Sequence, residues 1–213
     1  MNKQWQVGIL LYNGVDVIDF TGPYEVFTQT AYTEEDSKKI LLGTDKKKDH
    51  PFLVSTISET EKPVRANHGL TLQPDFSFET APSFDILVVP GAPLNSLKQA
   101  MKNRELSNWV CQQAKKADLV TSVCVGSFIL ATCRLLDQKK ATTHPKAYDY
   151  FEQLFPKVTL IRNKRVVADG KFITAGGLTC GIQMALSVVG HLLGNETAKR
   201  TANTLLINES NLL

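Results

Sequence analysis

Val120-Thr121-Ser122-Val123-Cys124-Val125-Gly126-Ser127 decides how the rest of this chain is read. An apolar, β-type run ends on a cysteine, and the pattern turns helical immediately afterwards. A strand that passes into a helix through one sharp turn, with small residues two positions either side of the apex, is a nucleophile elbow. Here Cys124 is the apex, and Ser122 and Gly126 are the small flanking residues. The elbow predicts that Cys124 stands at a helix N-terminus. There, free N–H groups and the positive end of the helix dipole favour a thiolate, below the ordinary thiol pKa of about 8.5. The alternative is a buried cysteine serving as a small hydrophobe, the commoner fate of a lone thiol.

An elbow needs a sheet to stand on. Strand signals fall at Val7–Tyr12, Phe52–Ile57, Ile86–Val89, Leu119–Val123 and Phe172–Thr174, each short and rich in Val, Ile or Leu. Several are apolar on both faces, as strands are when helices cover both sides of a mostly parallel sheet. Helical patterns occupy Pro23–Gln29, Arg104–Ala117, Gly126–Cys133, Pro145–Phe155, Ile182–Leu193 and Glu196–Leu206, with Pro23 and Pro145 in first-turn positions. Tyr32–Pro51 is polar and charged and reads as a long surface loop. Asp169-Gly170 marks a tight hairpin between Arg165–Ala168 and Lys171–Thr174. Repeats and low-complexity tracts are absent, and 213 residues suit one α/β domain spanning 1–213.

Composition excludes several function classes. The net charge is +3, from 24 basic and 21 acidic residues. The densest basic run, Lys46-Lys47-Lys48, is flanked by Asp45 and Asp49 and reads as a solvated loop, not a nucleic-acid footprint. The few residues beyond the last helical pattern leave no room for a helix-turn-helix module, so no nucleic-acid binding by the chain itself is expected. The N-terminus enters a strand without a signal-peptide pattern, and no apolar run reaches membrane-spanning length, which predicts a cytoplasmic protein without membrane contact. Cys111, Cys124, Cys133 and Cys180 form no C-x-x-C pair and are expected as reduced thiols, with Cys124 the most reactive. The four histidines are scattered, and no metal is expected.

A doubly wound sheet binds ligands at the carboxyl ends of its strands, here after Tyr12, Val89, Val123 and Thr174. After the first comes Asp19, between Ile18 and Phe20, either a helix-cap accessory beside Thr21 or a carboxyl facing Cys124 from an apolar pocket, which would raise its pKa. After the third strand comes Pro90-Gly91-Ala92-Pro93, either an ordinary tight turn or half of an oxyanion hole built from the N–H groups of Ala92 and Val125. Ala175-Gly176-Gly177-Leu178-Thr179-Cys180-Gly181 lacks G-x-G-x-x-G and a P-loop lysine, so it reads as a substrate wall, not a phosphate cradle. His144 is either the base for the cysteine or a cap for the following helix.

Together Val17-Ile18-Asp19-Phe20-Thr21-Gly22-Pro23, Val88-Val89-Pro90-Gly91, Thr121-Ser122-Val123-Cys124, Ala141-Thr142-Thr143-His144 and Ala175-Gly176-Gly177-Leu178-Thr179 resemble the ThiJ/PfpI superfamily of class I glutamine amidotransferase-like proteins. The D-x-T-G-P and S-V-C elements look most like isonitrile hydratases and the amidotransferase-like domains of AraC-type regulators. The resemblance implies a flavodoxin-like three-layer α/β sandwich with a mostly parallel sheet, a homodimer, and no cofactor. It also implies that Cys124 is the nucleophile and Asp19 its acidic partner, with Gly91, Ala92, Val125, Gly177 and Leu178 around the substrate and His144 and Thr21 as accessories. Four positions depart from the pattern. Val125 replaces the threonine of the hydratases and the histidine of the peptidase-like branch. Gly91-Ala92 stands where paired glycines are usual, Gln183 where relatives often carry Asp, and Pro145 where an aromatic often follows the Thr-His pair.

Three readings follow. The first is a cysteine-dependent hydratase or hydrolase acting on a small molecule, of the isonitrile hydratase type, converting an isonitrile and water to an N-substituted formamide. It requires Asp19 close to Cys124 and an enclosed apolar pocket. The second is a non-catalytic ligand- or redox-sensing domain related to AraC-type regulators. The third is a glyoxalase or deglycase-like enzyme that takes its acid from Glu25.

Overall fold

The computed structural model describes residues 3–207. Its centre is a seven-stranded sheet in the order Val166–Asp169, Phe172–Ala175, Leu119–Val123, Ile86–Val89, Trp5–Leu10, Phe52–Ser58 and Phe76–Ser77. Every neighbouring pair is parallel except the first, the hairpin turned by Gly170 at φ 61°. Ile86–Val89 and Leu119–Val123 are buried at every residue. This is why their sequences are continuously apolar or small and do not alternate.

The helices are α1 (Val17–Thr28), α2 (Glu34–Leu42), α3 (Leu94–Lys102), α4 (Arg104–Lys116), α5 (Gly126–Thr132), α6 (Tyr148–Leu154), α7 (Cys180–Leu193) and α8 (Asn195–Thr204). α1, α7 and α8 pack as one group, and α3, α4 and α5 as another. Phe128 of α5 packs edge-on against Phe151 of α6, with ring centroids 4.9 Å apart, and so anchors the helix that follows the elbow. Among the described residues no helix is long and apolar enough to cross a membrane.

Three expectations are corrected. α1 starts at Val17, six residues before Pro23, and the proline lies inside it. A proline normally marks a helix start because it has no N–H to give the carbonyl four residues back; here it leaves the Asp19 carbonyl without that helical donor. The stretch 32–51 is not one loop: Thr33 caps α2 through the Asp36 N–H, and Gly43 ends it at φ 65°. Leu94–Lys102, where no helix was expected, is α3, an amphipathic helix that buries only Leu97 and Ala100.

Candidate active site

Leu119–Val123 delivers Cys124 at the carboxyl edge of the sheet, with its N–H donating to the Ala175 carbonyl of the neighbouring strand at 3.0 Å. Cys124 then takes φ 56°, left-handed backbone that a non-glycine residue rarely adopts. Its carbonyl accepts hydrogen bonds from the Thr143 hydroxyl at 3.1 Å and the Ser127 hydroxyl at 3.4 Å, which hold the strained turn. Gly126 must lack a side chain, because a Cβ there would run into the Val89 carbonyl oxygen and lie 2.9 Å from the Pro90 carbonyl carbon. The elbow read from the sequence is present in geometry, with its small residue where strand and helix come closest.

Asp19 comes from the first turn of α1 and is fully buried. Its Oδ2 accepts the Gly91 N–H at 3.1 Å, while among the described residues its Oδ1 has no hydrogen-bond partner. An Asp16 oxygen, an Asp19 oxygen and the Cys124 sulfur lie within 4.8 Å of one another. Burial, and then the charge of Asp16, push the Asp19 carboxyl up from 3.8 to about 7, against the lowering effect of the Gly91 N–H and of contact with the Cys124 thiol. Asp19 therefore exchanges a proton near neutrality.

The Cys124 thiol moves the opposite way from the expected thiolate. Burial raises its pKa, the Asp19 charge adds to the rise, and only the Val125 N–H works against them. α5 is seven residues long, and its N-terminal field does not outweigh the loss of water around a thiol that is 6% exposed. The resting pair is a neutral thiol beside an aspartate that can take its proton. Asp16, Asp19 and Cys124 are also the grouping, among the described residues, whose donor atoms approach closely enough to share an ion. Two of their oxygens already accept hydrogen bonds and burial favours the neutral forms of Asp19 and Cys124, so the arrangement suits proton exchange better than a cation.

Gly91, expected around the substrate, serves as a support for the acid. Its N–H is committed to Asp19 and its carbonyl accepts the Asp16 N–H at 2.9 Å. A Cβ on Gly91 would meet the Asp19 Oδ2 and the Val125 N, each at 2.9 Å. The Ala92 N–H donates to no protein atom among the described residues, and the Val125 N–H faces the Cys124 sulfur. Thr21 is not a cap, since its hydroxyl donates to the Val17 carbonyl one turn back at 2.8 Å.

His144 takes the capping role, with its Nδ1 accepting the Lys146 N–H at 3.2 Å in the turn that begins at Pro145. It stands outside the cluster of Asp16, Asp19 and Cys124. Gly177 packs against the His144 ring, and the half-exposed Leu178 borders a cavity of about 350 Å³ shared with His144 and Cys180. Glu25 is exposed and accepts a hydrogen bond from Gln29 at 3.2 Å, also outside the cluster.

The sequence reading missed Asp16, Asn67 and Tyr12. Asn67 Nδ2 donates to Asp16 Oδ1 at 2.9 Å, and the buried Tyr12 hydroxyl donates to the Pro90 carbonyl at 2.9 Å. Tyr12 also borders a cavity of about 420 Å³ with Asn13, Ser58, Lys62 and Ser96, whose lining includes neither Asp19 nor Cys124. For Asp16 a signal existed: it precedes Asp19 by three residues, a spacing that shares one helix face once the helix begins at Val17.

A mostly parallel α/β sheet that presents a cysteine on a strained strand-to-helix turn, faced by a buried acid from the first helix, defines a protein of the nucleophile-elbow class. Residues 5–191 match the DJ-1/PfpI family, and the chain belongs to that family. It is 34% identical over 195 residues to an isonitrile hydratase of Pseudomonas putida, across 91% of this chain and 75% of that one. It is 26% identical over 147 residues to the HTH-type transcriptional regulator CdhR of Pseudomonas aeruginosa, across 68% of this chain and 42% of the regulator. The crystal structure of a ThiJ/PfpI family protein from Pseudomonas syringae superposes with a TM-score of 0.81 at 26% identity, covering 97% of this chain and 76% of that one. These relatives agree with the flavodoxin-like architecture expected from the sequence.

Proposed function

We propose that the protein is a cysteine-dependent hydratase of small isonitriles, acting without a cofactor as a cytoplasmic homodimer. The observation that carries the reading is the buried, partly unpartnered Asp19 carboxyl, which titrates near 7 and lies within 4.8 Å of the Cys124 sulfur. Similarity to the Pseudomonas putida isonitrile hydratase supports it.

In the reaction this supports, ionised Asp19 accepts the Cys124 thiol proton as sulfur attacks the terminal isonitrile carbon. Asp19 then returns that proton to the same carbon, giving a thioimidate. Water adds to the thioimidate carbon with Asp19 taking one of its protons and passing it to nitrogen; the C–S bond then breaks as the new hydroxyl loses its proton, through Asp19, to the leaving sulfur. The products are an N-substituted formamide and the regenerated thiol, so the net change is addition of one water. Ala92 and Val125 N–H groups offer donors for the charge that develops on the added oxygen. A raised thiol pKa suits this scheme, because the proton to be delivered to carbon is the one the thiol still carries.

Similarity to a regulator favours a second reading, a sensing domain that binds a ligand at the same site without turnover. The glyoxalase or deglycase-like reading has no support from Glu25, which lies outside the cluster. Incubating reduced, folded protein with small isonitriles and measuring formamide separates these. Turnover that disappears in Cys124→Ala and falls sharply in Asp19→Asn is expected. No conversion above buffer by wild type and by Val125→Thr, both folded and reduced, overturns the hydratase reading.

A further inference from the structure

Asp16 occupies the N-cap of α1 but does not cap it. An N-cap aspartate ordinarily turns its carboxylate onto the N–H groups of the first helical turn, whereas this one makes no such bond. Its carboxylate lies with Asp19 and Cys124 instead, all three donor atoms within 4.8 Å. Asn67 holds it there by a double hook: the side-chain amide donates to Asp16 Oδ1 and the backbone N–H donates to the Val15 carbonyl, each at 2.9 Å. The Gly91 peptide closes the arrangement from the other side, accepting from Asp16 N–H and donating to Asp19 Oδ2.

We propose that Asp16, clamped by Asn67, is a positioning residue whose carboxylate, held beside Asp19, favours the thiol's proton staying on Asp19 once the sulfur gives it up. The proposal rests on the reading of Asp19 as the acid of the site. Two carboxylates this close repel when both are ionised, so the charge of Asp16 favours the protonated form of Asp19. Their surroundings decide which keeps the proton. Asp16 is half-buried and receives an N–H from Asn67, so negative charge is better supported there. Asp19 is fully buried, and its Oδ1 accepts nothing among the described residues. Among the described residues, the ionisable and polar groups that bear on Asp19 are Asp16 on its own helix, the Cys124 thiol on the elbow, the Tyr12 phenol after the first strand and the Gly91 N–H after the third. Asp16 is the other carboxyl among these, and its charge raises the pKa of Asp19.

The test follows the Asp19 carboxyl ¹³C resonance against pH in aspartate-labelled protein, beside the pH profile of kcat/KM for a small isonitrile. Asp16→Asn keeps the acceptor for Asn67 and removes the charge. Asp19 is then expected to ionise at lower pH by about one unit, a tenfold change in its protonated fraction, and the acid limb of the rate profile moves by the same amount. Asp16→Glu retains the charge and is expected to hold the titration close to wild type. Asn67→Ala releases the clamp and is expected to move it partway toward Asp16→Asn. If Asp16→Asn does not fold, Asn67→Ala carries the test. A folded Asp16→Asn or Asn67→Ala whose Asp19 resonance titrates as in wild type overturns the proposal, whatever its activity. A resonance that shifts as expected in proteins that hydrate no isonitrile leaves the proton pair in place and removes the hydratase reading. Activity lowered equally at all pH values, with the titration unmoved, means that Asp16 only holds the helix end and the proposal fails.

Discussion

Replacing Asp19 with asparagine is expected to stabilise the protein at alkaline pH while removing most of its turnover. The native carboxyl titrates near 7 and an unfolded aspartate near 3.8. The folded state therefore keeps a proton that the unfolded chain releases, and native stability falls as pH rises through that interval. At 1.36 kcal/mol per tenfold change, the full penalty above both values is about 4 kcal/mol, of which about 3 kcal/mol accrues between about pH 5 and about pH 8. Asparagine cannot ionise and escapes this loss. Its buried amide leaves one polar group unpaired, as the protonated acid does, and that cost is the same at both pH values, so the comparison cancels it. The melting temperature of Asp19→Asn relative to wild type should therefore rise by roughly 5–10 °C on going from about pH 5 to about pH 8, at 2–4 °C per kcal/mol for a chain of this size. Differential scanning calorimetry at the two pH values reads it directly. A difference between the proteins that stays the same at both would refute the claim that Asp19 holds a proton near neutrality. In the same variant the loss of proton transfer should lower kcat/KM about a hundredfold or more.

Gly126→Ala should destabilise the fold by about 3 kcal/mol, because the added methyl meets backbone atoms of Val89 and Pro90 that cannot swing away; a melting temperature within about 2 °C of wild type would contradict the close packing of the elbow. Gly91→Ala should keep the fold and lower turnover by roughly a hundredfold, since its Cβ would displace the Asp19 carboxylate and the Val125 amide together; kinetics measured beside thermal melting separate the two effects. Val125→Thr should raise isonitrile turnover by about twofold to tenfold if a hydroxyl beside the nucleophile supplies one neutral hydrogen bond, and an unchanged rate in folded protein would mean that the valine is not limiting. With a bulky maleimide, the half-buried Cys180 should react ahead of Cys124, whose thiol is 6% exposed and holds its proton tightly; peptide mapping that finds Cys124 modified first would restore the thiolate expected from the elbow alone.

The primary sequence by itself determined the strands and the turn that carries the cysteine. Ile86–Val89 and Leu119–Val123 were legible to the residue because a strand buried on both faces has to be continuously apolar or small, and Gly126 was legible because contact between strand and helix at an elbow leaves no volume for a side chain. The start of α1 was misread because a local rule about proline gave way to the packing of α1 on α7, which keeps Pro23 inside the helix. That error hid Asp16, whose partnership with Asp19 exists only when both share the first turn of one helix. Only the tertiary structure decided the protonation chemistry. Asp19 and Cys124 are more than a hundred residues apart in the chain, and their pKa values depend on the water excluded around them and on the charge of Asp16. Desolvation is a property of everything packed around a group, so a dipole argument drawn from the elbow alone assigned the thiol the wrong direction.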